Sequence, residues 1–155
     1  MKGYLLDANL LIALAWPNHT QHAKAHEWLA KAAPIGWGTC TVTQLAFVRI
    51  SSHPKVELHV STQEAIEKLH EILTLPEHSF WPEPPDGFNN PAFVATIPKI
   101  LTHGLVTDGY LATVAAFNSG MLATLDKQLA RTFPQSVIHV DAQQRIQSTG
   151  SILTP

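Results

Sequence analysis

The chain has 155 residues, 45% hydrophobic and 14% charged, which is one domain with enough chain to bury a sizeable core. Its formal charge is -2 and its basic residues are scattered singly, so no polybasic tail exists and any acidic partner must be held by local cations. The single cysteine, Cys40, excludes an internal disulfide, and no apolar run reaches the roughly 18 uncharged residues of a membrane span, so a reducing cytoplasm and no membrane contact are expected.

The first element is a short apolar strand, Gly3 to Leu6, that ends in Asp7. Leu10, Leu11 and Leu14 then recur at helical spacing. Asp7 and Asn9 interrupt the apolar start and no A-x-A-like cleavage site follows, so it reads as strand and helix rather than as a leader. From about Thr20 to Lys31, Ala25, Trp28 and Leu29 share one face of an amphipathic helix. Ile35-Gly36-Trp37-Gly38 reads as a second strand. Thr41 or Thr43 is placed to cap a helix carrying Leu45, Val48 and Arg49, and a further helix from about Thr62 to Leu73 carries a stripe of Ala65, Leu69, Ile72 and Leu73.

Six prolines and a glycine between Leu75 and Pro98 leave only the patch HSFWP, around Phe80, as a strand, with the rest loop and a turn of helix. Thr107-Asp108 precedes the Ala-rich helix GYLATVAAFNSG, which Gly120 is placed to stop. Met121 to Thr124 is a strand followed by Asp126, Lys127 to Arg131 a short helix, and Val137 to Val140 a last strand. Residues 1–145 form one domain, and 146–155 are a polar tail.

Alternation of strand and helix predicts a parallel sheet covered on both faces, with ligands outside the carboxyl ends of its strands. Asp7 and Asp126 follow predicted strands and Asp108 opens a predicted helix, so three of the five aspartates are candidates for one rim. Taken singly, each reads equally as an N-cap. Gathered at one edge they repel unless a cation or a proton sits among them, and oxygen donors of this kind suit Mg2+ or Mn2+.

Four stretches, LLDANLLIAL, TVTQLAFVRI, TDGYLATVAA and LATLDKQL, together resemble the PIN domain and, within it, the VapC-type toxins of bacterial toxin-antitoxin pairs. The resemblance runs in order from Tyr4 to Val140 and includes the helix HTQHAKAHEWL. It implies a three-layer α/β/α sandwich around a mainly parallel five-stranded sheet, and metal-dependent cleavage of RNA. It also implies that Asp7 and Asp108 are the main Mg2+ ligands, with Asp126 completing the site and Asn9 and Thr124 as neighbouring polar groups. Where many members carry a glutamate, this chain has Gln44, a neutral acceptor that brings no charge to a cation or to proton transfer. The resemblance further implies a VapB-type antitoxin as partner and a homodimer.

Arg49 and Lys127 are candidate phosphate contacts, with a structural ion pair the plainer reading of Arg49. His19, His22 and His26 share a helical face at metal-capable spacing, but no H-E-x-x-H pattern or cysteine accompanies them, so they read as hydrogen-bonded side chains. The four tryptophans read as core or partner-surface anchors rather than base-stacking platforms. Two alternatives stand beside the nuclease. A PIN-like module weakened by Gln44 would bind RNA or protein without cutting. A haloacid dehalogenase-type phosphatase also begins with an aspartate after its first strand, but here Asn9 occupies the place of its second aspartate and no Gly-Thr follows.

Overall fold

A computed structural model describes residues 1–141, so the polar tail at 146–155 and the end of the domain reading lie outside the described residues. The elements are β1 (Tyr4–Leu6), α1 (Ala8–Ala15), α2 (His22–Ala32), β2 (Trp37–Thr39), α3 (Thr41–Ser51), α4 (Thr62–Leu73), β3 (His78–Phe80), α5 (Pro91–Val94), α6 (Val106–Phe117), β4 (Met121–Thr124), α7 (Lys127–Thr132) and β5 (Val137–His139). Three short 3-10 turns, Gly87–Asn89, Ile97–Lys99 and His103–Leu105, punctuate the proline-rich stretch and its continuation.

All strand pairs are parallel, in the order β3-β2-β1-β4-β5. The period-2 rule sorts the layers. Tyr4 and Leu6 face a core shared with α1 to α4 through Leu10, Trp28, Phe47 and Leu69, whereas Leu5 and Leu122 face the opposite core with Leu111 and Val114 of α6 and Leu129 of α7. The result is the expected α/β/α sandwich, with a sheet that is wholly parallel among the described residues. From β1 the chain steps outward through β2 to β3, then returns to lay β4 on the other side of β1. That reversal makes the carboxyl ends of β1 and β4 the topological switch point, where an open parallel sheet leaves a crevice for a ligand.

Local chemistry explains the element ends. Seven of the eight residues of α1 are buried, which is why the run after Asp7 is apolar all round rather than amphipathic. In α4, Ser61 and Glu64 form a reciprocal capping box, Glu64 N donating to Ser61 Oγ at 3.1 Å and Ser61 N to Glu64 Oε2 at 2.6 Å. The cap of α3 is Cys40, not Thr41 or Thr43: Thr43 sits at the third helical position, where its hydroxyl accepts from Cys40 N at 3.0 Å. Helix α6 begins at Val106, ahead of the expected Gly109, because the 3-10 turn His103–Leu105 winds directly into it. It also ends earlier than expected, and Ser119, at φ 58, takes the left-handed turn that Gly120 was expected to supply. Gly120 is instead packed against the buried Trp81 ring, which leaves no room for a Cβ.

At the amino ends of the strands, Gly3 (φ +130) and Gly36 (φ +120) hold conformations that side-chain-bearing residues avoid. A Cβ on Gly3 would overlap the Gly36 carbonyl, and one on Gly36 would lie 2.6 Å from the Lys2 carbonyl oxygen. These two backbones approach closely to start the β1–β2 ladder, where Tyr4 N donates to Gly36 O at 3.1 Å.

Candidate active site

Strand β1 delivers Asp7 to the switch point, and the ladder continues one step further, Asp7 N donating to Ala123 O at 2.9 Å. The Asp7 side chain is buried, yet both oxygens are engaged: Oδ1 accepts from Ala8 N and Oδ2 from Thr124 Oγ1, each at 2.8 Å. Thr124, the last residue of β4, is fully buried and saturates its hydroxyl. It donates its one hydrogen to Asp7 and accepts from Asn9 Nδ2 at 3.1 Å and from Asp126 N at 3.1 Å. Asn9 in turn takes Leu125 N on its Oδ1 at 3.2 Å. One hydroxyl therefore ties the loop after β4 to the start of α1.

Asp126 caps α7, its Oδ1 accepting from Gln128 N at 2.8 Å and Leu129 N at 3.2 Å. The N-cap reading thus holds for Asp7 and Asp126, which spend part of their acceptor capacity on orphan helix amides. Asp108 is different. It is the third residue of α6, caps nothing, and its carboxylate has no hydrogen-bond donor among the described residues. Burial, with the negative charges of Asp7 and Asp126 behind it, pushes the Asp108 carboxyl up to about 6. Burial also pushes the Asp7 carboxyl up, against the hydrogen bonds from Thr124 and Ala8, and the Asp126 charge adds to the rise.

The three predicted carboxylates therefore feel one another across the rim. Asp108 and Asp126 line a common cleft of about 390 Å³, with Thr102 and Lys99 on its walls. As they stand, no three His, Cys, Asp or Glu side chains among the described residues close into a metal-holding group. The donor set nevertheless fits a hard cation: each Asp7 oxygen keeps a second lone pair, Asp126 Oδ2 takes no part in the cap, and Mg2+ takes one or two carboxylates and fills the rest with water.

Comparison with known proteins places the chain in a family. The chain is 38% identical over 141 residues to Ribonuclease VapC39 of Mycobacterium tuberculosis, a match covering 88% of this chain and 97% of the relative. The chain belongs to the VapC ribonuclease family. It is also 34% identical over 123 residues to Ribonuclease VapC38 of the same organism, covering 79% of this chain and 84% of that one. The crystal structure of VapBC2 from Rickettsia felis, bound to a DNA fragment from their promoter, has the same fold, with a TM-score of 0.60 at 15% identity over 89% of this chain and 98% of that chain. No family model matches the chain. Membership of the VapC family displaces the phosphatase alternative.

The remaining residues singled out from the sequence fall in several places. In this VapC chain Gln44 lies on the first turn of α3 and is not hydrogen-bonded to any of the aspartates; its Nε2 donates to Thr39 Oγ1 at 2.9 Å. Arg49 is exposed in the last turn of α3, and the structural ion pair expected of it is absent among the described residues. Lys127 is exposed at the start of α7 and lines a separate groove with Arg131 and His139, not the cleft shared by Asp108 and Asp126. Lys99 does line that cleft, and sequence reasoning passed it over because it sits in the proline-rich connection, where no periodicity marks a face.

The histidines read as structural. His22 Nδ1 and His26 Nε2 each sit 2.8 Å from a carbonyl of the last turn of α1, Ala13 O and Leu14 O, and so satisfy acceptors that the helix leaves unpaired. Trp28, Trp37 and Trp81 are fully buried, and Trp16 stacks on Phe47 with ring centroids 6.2 Å apart. None presents a free face for a base.

The Thr124 joint yields a direct expectation. Thr124→Val keeps the shape but strands the Asp126 amide and one Asp7 oxygen, at a cost of about 2 kcal/mol. For a chain of this size that lowers Tm by roughly 4–8 °C. Thermal melts by circular dichroism should show this fall and its recovery in Thr124→Ser; an unchanged Tm in Thr124→Val would remove Thr124 from the role of joint.

Proposed function

We propose that this chain is a Mg2+-dependent endoribonuclease, the toxin of a VapBC-type pair, that hydrolyses RNA phosphodiester bonds at the rim where β1 and β4 end. The observation that carries the reading is the gathering of Asp7, Asp108 and Asp126 at the switch point, where burial first and the two neighbouring carboxylates second push the Asp108 carboxyl up to about 6. Such uncompensated negative charge is what a divalent cation relieves. Asp7, Asp108 and Asp126 would hold Mg2+ or Mn2+, and the bound ion would acidify a coordinated water and neutralise charge developing on the phosphoryl oxygens.

The chain's own residues do the positioning. Thr124 and Asn9 fix Asp7, the α7 cap fixes Asp126, and α6 presents Asp108 into the cleft. Lys99 stands on the cleft wall, placed to take an RNA phosphate past the acidic rim, with the exposed Lys127 and Arg49 as outer phosphate contacts. Gln44 contributes an acceptor without charge. The partners of this reading are a VapB-type antitoxin, in keeping with the VapBC2 neighbour, and a second copy of the chain in a homodimer acting in the cytoplasm. No helix among the described residues is long and apolar enough to cross a membrane.

The test is cleavage of total cellular RNA by the purified chain with Mg2+, Mn2+ or EDTA, beside Asp108→Ala and Gln44→Glu. Cutting that EDTA and Asp108→Ala abolish is expected. Cutting by Gln44→Glu alone would mark a disarmed nuclease, and RNA binding that survives EDTA with no cutting by either chain would favour the binding module.

A further inference from the structure

Gln44 belongs to a chain of hydrogen bonds that runs away from the aspartates into the sheet. Its Nε2 lies 2.9 Å from Thr39 Oγ1, and Thr39 Oγ1 lies 2.9 Å from His78 Nε2. Thr39 is the last residue of β2 and is fully buried, so no bulk water competes for its hydroxyl.

The direction of each bond follows from donor counting. The neutral imidazole that burial favours has one donor and one acceptor nitrogen, and with Nε2 as the acceptor towards Thr39 its proton stands on Nδ1. Thr39 must then give its one hydrogen to His78, which leaves the hydroxyl able only to accept on its other side. The Gln44 amide can meet it with the NH2 group and not with the carbonyl. Amide orientation, otherwise ambiguous by 180°, is fixed here by a histidine tautomer one strand further out. The Gln44 carbonyl oxygen is thereby turned away from Thr39, with no protein donor among the described residues.

Thr39 ends β2 beside β1, whose next residue is Asp7, and α3 starts from the same edge. We propose that Thr39 and His78 are positioning residues that lock the Gln44 amide, so that its carbonyl oxygen stands at the carboxyl-end rim as a fixed neutral acceptor beside the aspartates. The inference rests on the nuclease reading for its consequence in catalysis, but the lock itself does not. In this chain the amide at 44 is part of a matched network, since a group that could only accept there would compete with His78 for the single Thr39 hydrogen.

The experiment joins a double-mutant cycle with NMR of the full chain. Thr39→Val and Gln44→Met are each expected to lower the initial rate of Mg2+-dependent cleavage of total RNA about tenfold, the size of one lost positioning hydrogen bond. The double variant should lose no more than either, and Thr39→Ser should recover most of the rate. Losses that multiply, or a Thr39→Val chain that cuts normally, would overturn the proposal. On the 15N-labelled chain, His78 should show a protonated Nδ1 and a bare Nε2, and the Gln44 side-chain NH2 should exchange slowly with water, becoming fast in Thr39→Val. A protonated Nε2, or a Gln44 amide that already exchanges freely, overturns the lock whether or not RNA is cut. The NMR signature in a chain that cuts no RNA supports the lock and overturns the nuclease reading.

Discussion

Asp108→Asn is expected to abolish Mg2+-dependent RNA cleavage, by at least about a hundredfold, while making the fold more stable at neutral pH. The two effects have one cause. Asp108 sits in a half-buried position against two other carboxylates, and its folded-state pKa is raised from 3.8 to about 6. Between those values the native chain holds a proton that the unfolded chain has released, so stability falls as pH rises through that window and the full penalty is present above about 6. A shift of that size corresponds to at most roughly 3 kcal/mol. Solvent screening at a partly exposed carboxylate reduces it to about 1 kcal/mol. The amide removes the charge and keeps the shape, so melts at pH 7.5 should show Asp108→Asn a few degrees above the parent, with the difference closing towards pH 4. An Asp108→Asn chain that melts below the parent at pH 7.5 would refute the repulsion argument, and one that still cuts RNA would remove Asp108 from the site. Cleavage by the parent should weaken as pH falls below about 6, most at low Mg2+, because the proton then competes with the cation for Asp108.

The second expectation separates two substitutions at one position. Asp7→Asn should lose cleavage to a similar degree and keep its fold, whereas Asp7→Ala should lose both. Asp7 caps α1 through Oδ1, a task Asn performs equally well, and although its NH2 cannot take the Thr124 hydrogen, the amide relieves the burial of charge that pushes the Asp7 carboxyl up. Alanine leaves Ala8 N and the Thr124 hydroxyl hydrogen without their acceptor in a buried place, at a cost of about 2–3 kcal/mol. Cleavage rates beside thermal melts decide the matter. Equal stability of the two variants would mean that the cap contributes nothing, and normal cutting by Asp7→Asn would leave the carboxylate a helix cap and no more.

Much of this rim was legible in the sequence because it depends on local order. A carboxylate directly after an apolar strand, repeated before a helix, needs only the parallel-sheet rule to reach one edge, and the bounds of α4 follow from its stripe and its Ser-x-x-Glu signature. What stayed hidden depends on distant partners. The start of α6 was misplaced because a 3-10 turn has no signature of its own, and with it Asp108 was moved from a cap position to an uncapped turn. Thr124 as a saturated joint needs Asn9 and Asp7 from the far end of the chain, and the Thr39–His78 pair needs two strands to be neighbours. Cys40 as the cap of α3 ran against residue preference, since the hydroxyl of Thr43 reaches back to do the capping work from inside the helix.

The close approach of Gly3 and Gly36 has a bearing on inheritance. Strand β1 is three residues long, about 10 Å from end to end, so a side chain forced between the two glycine backbones pushes the whole strand and carries Asp7 with it. Cells that escape an active copy of this gene by mutating it would then be found with lesions at Gly3 and Gly36 as well as at the aspartates. A survey of such survivors would draw a map with two poles, one at the chemistry and one at the opposite edge of the sheet.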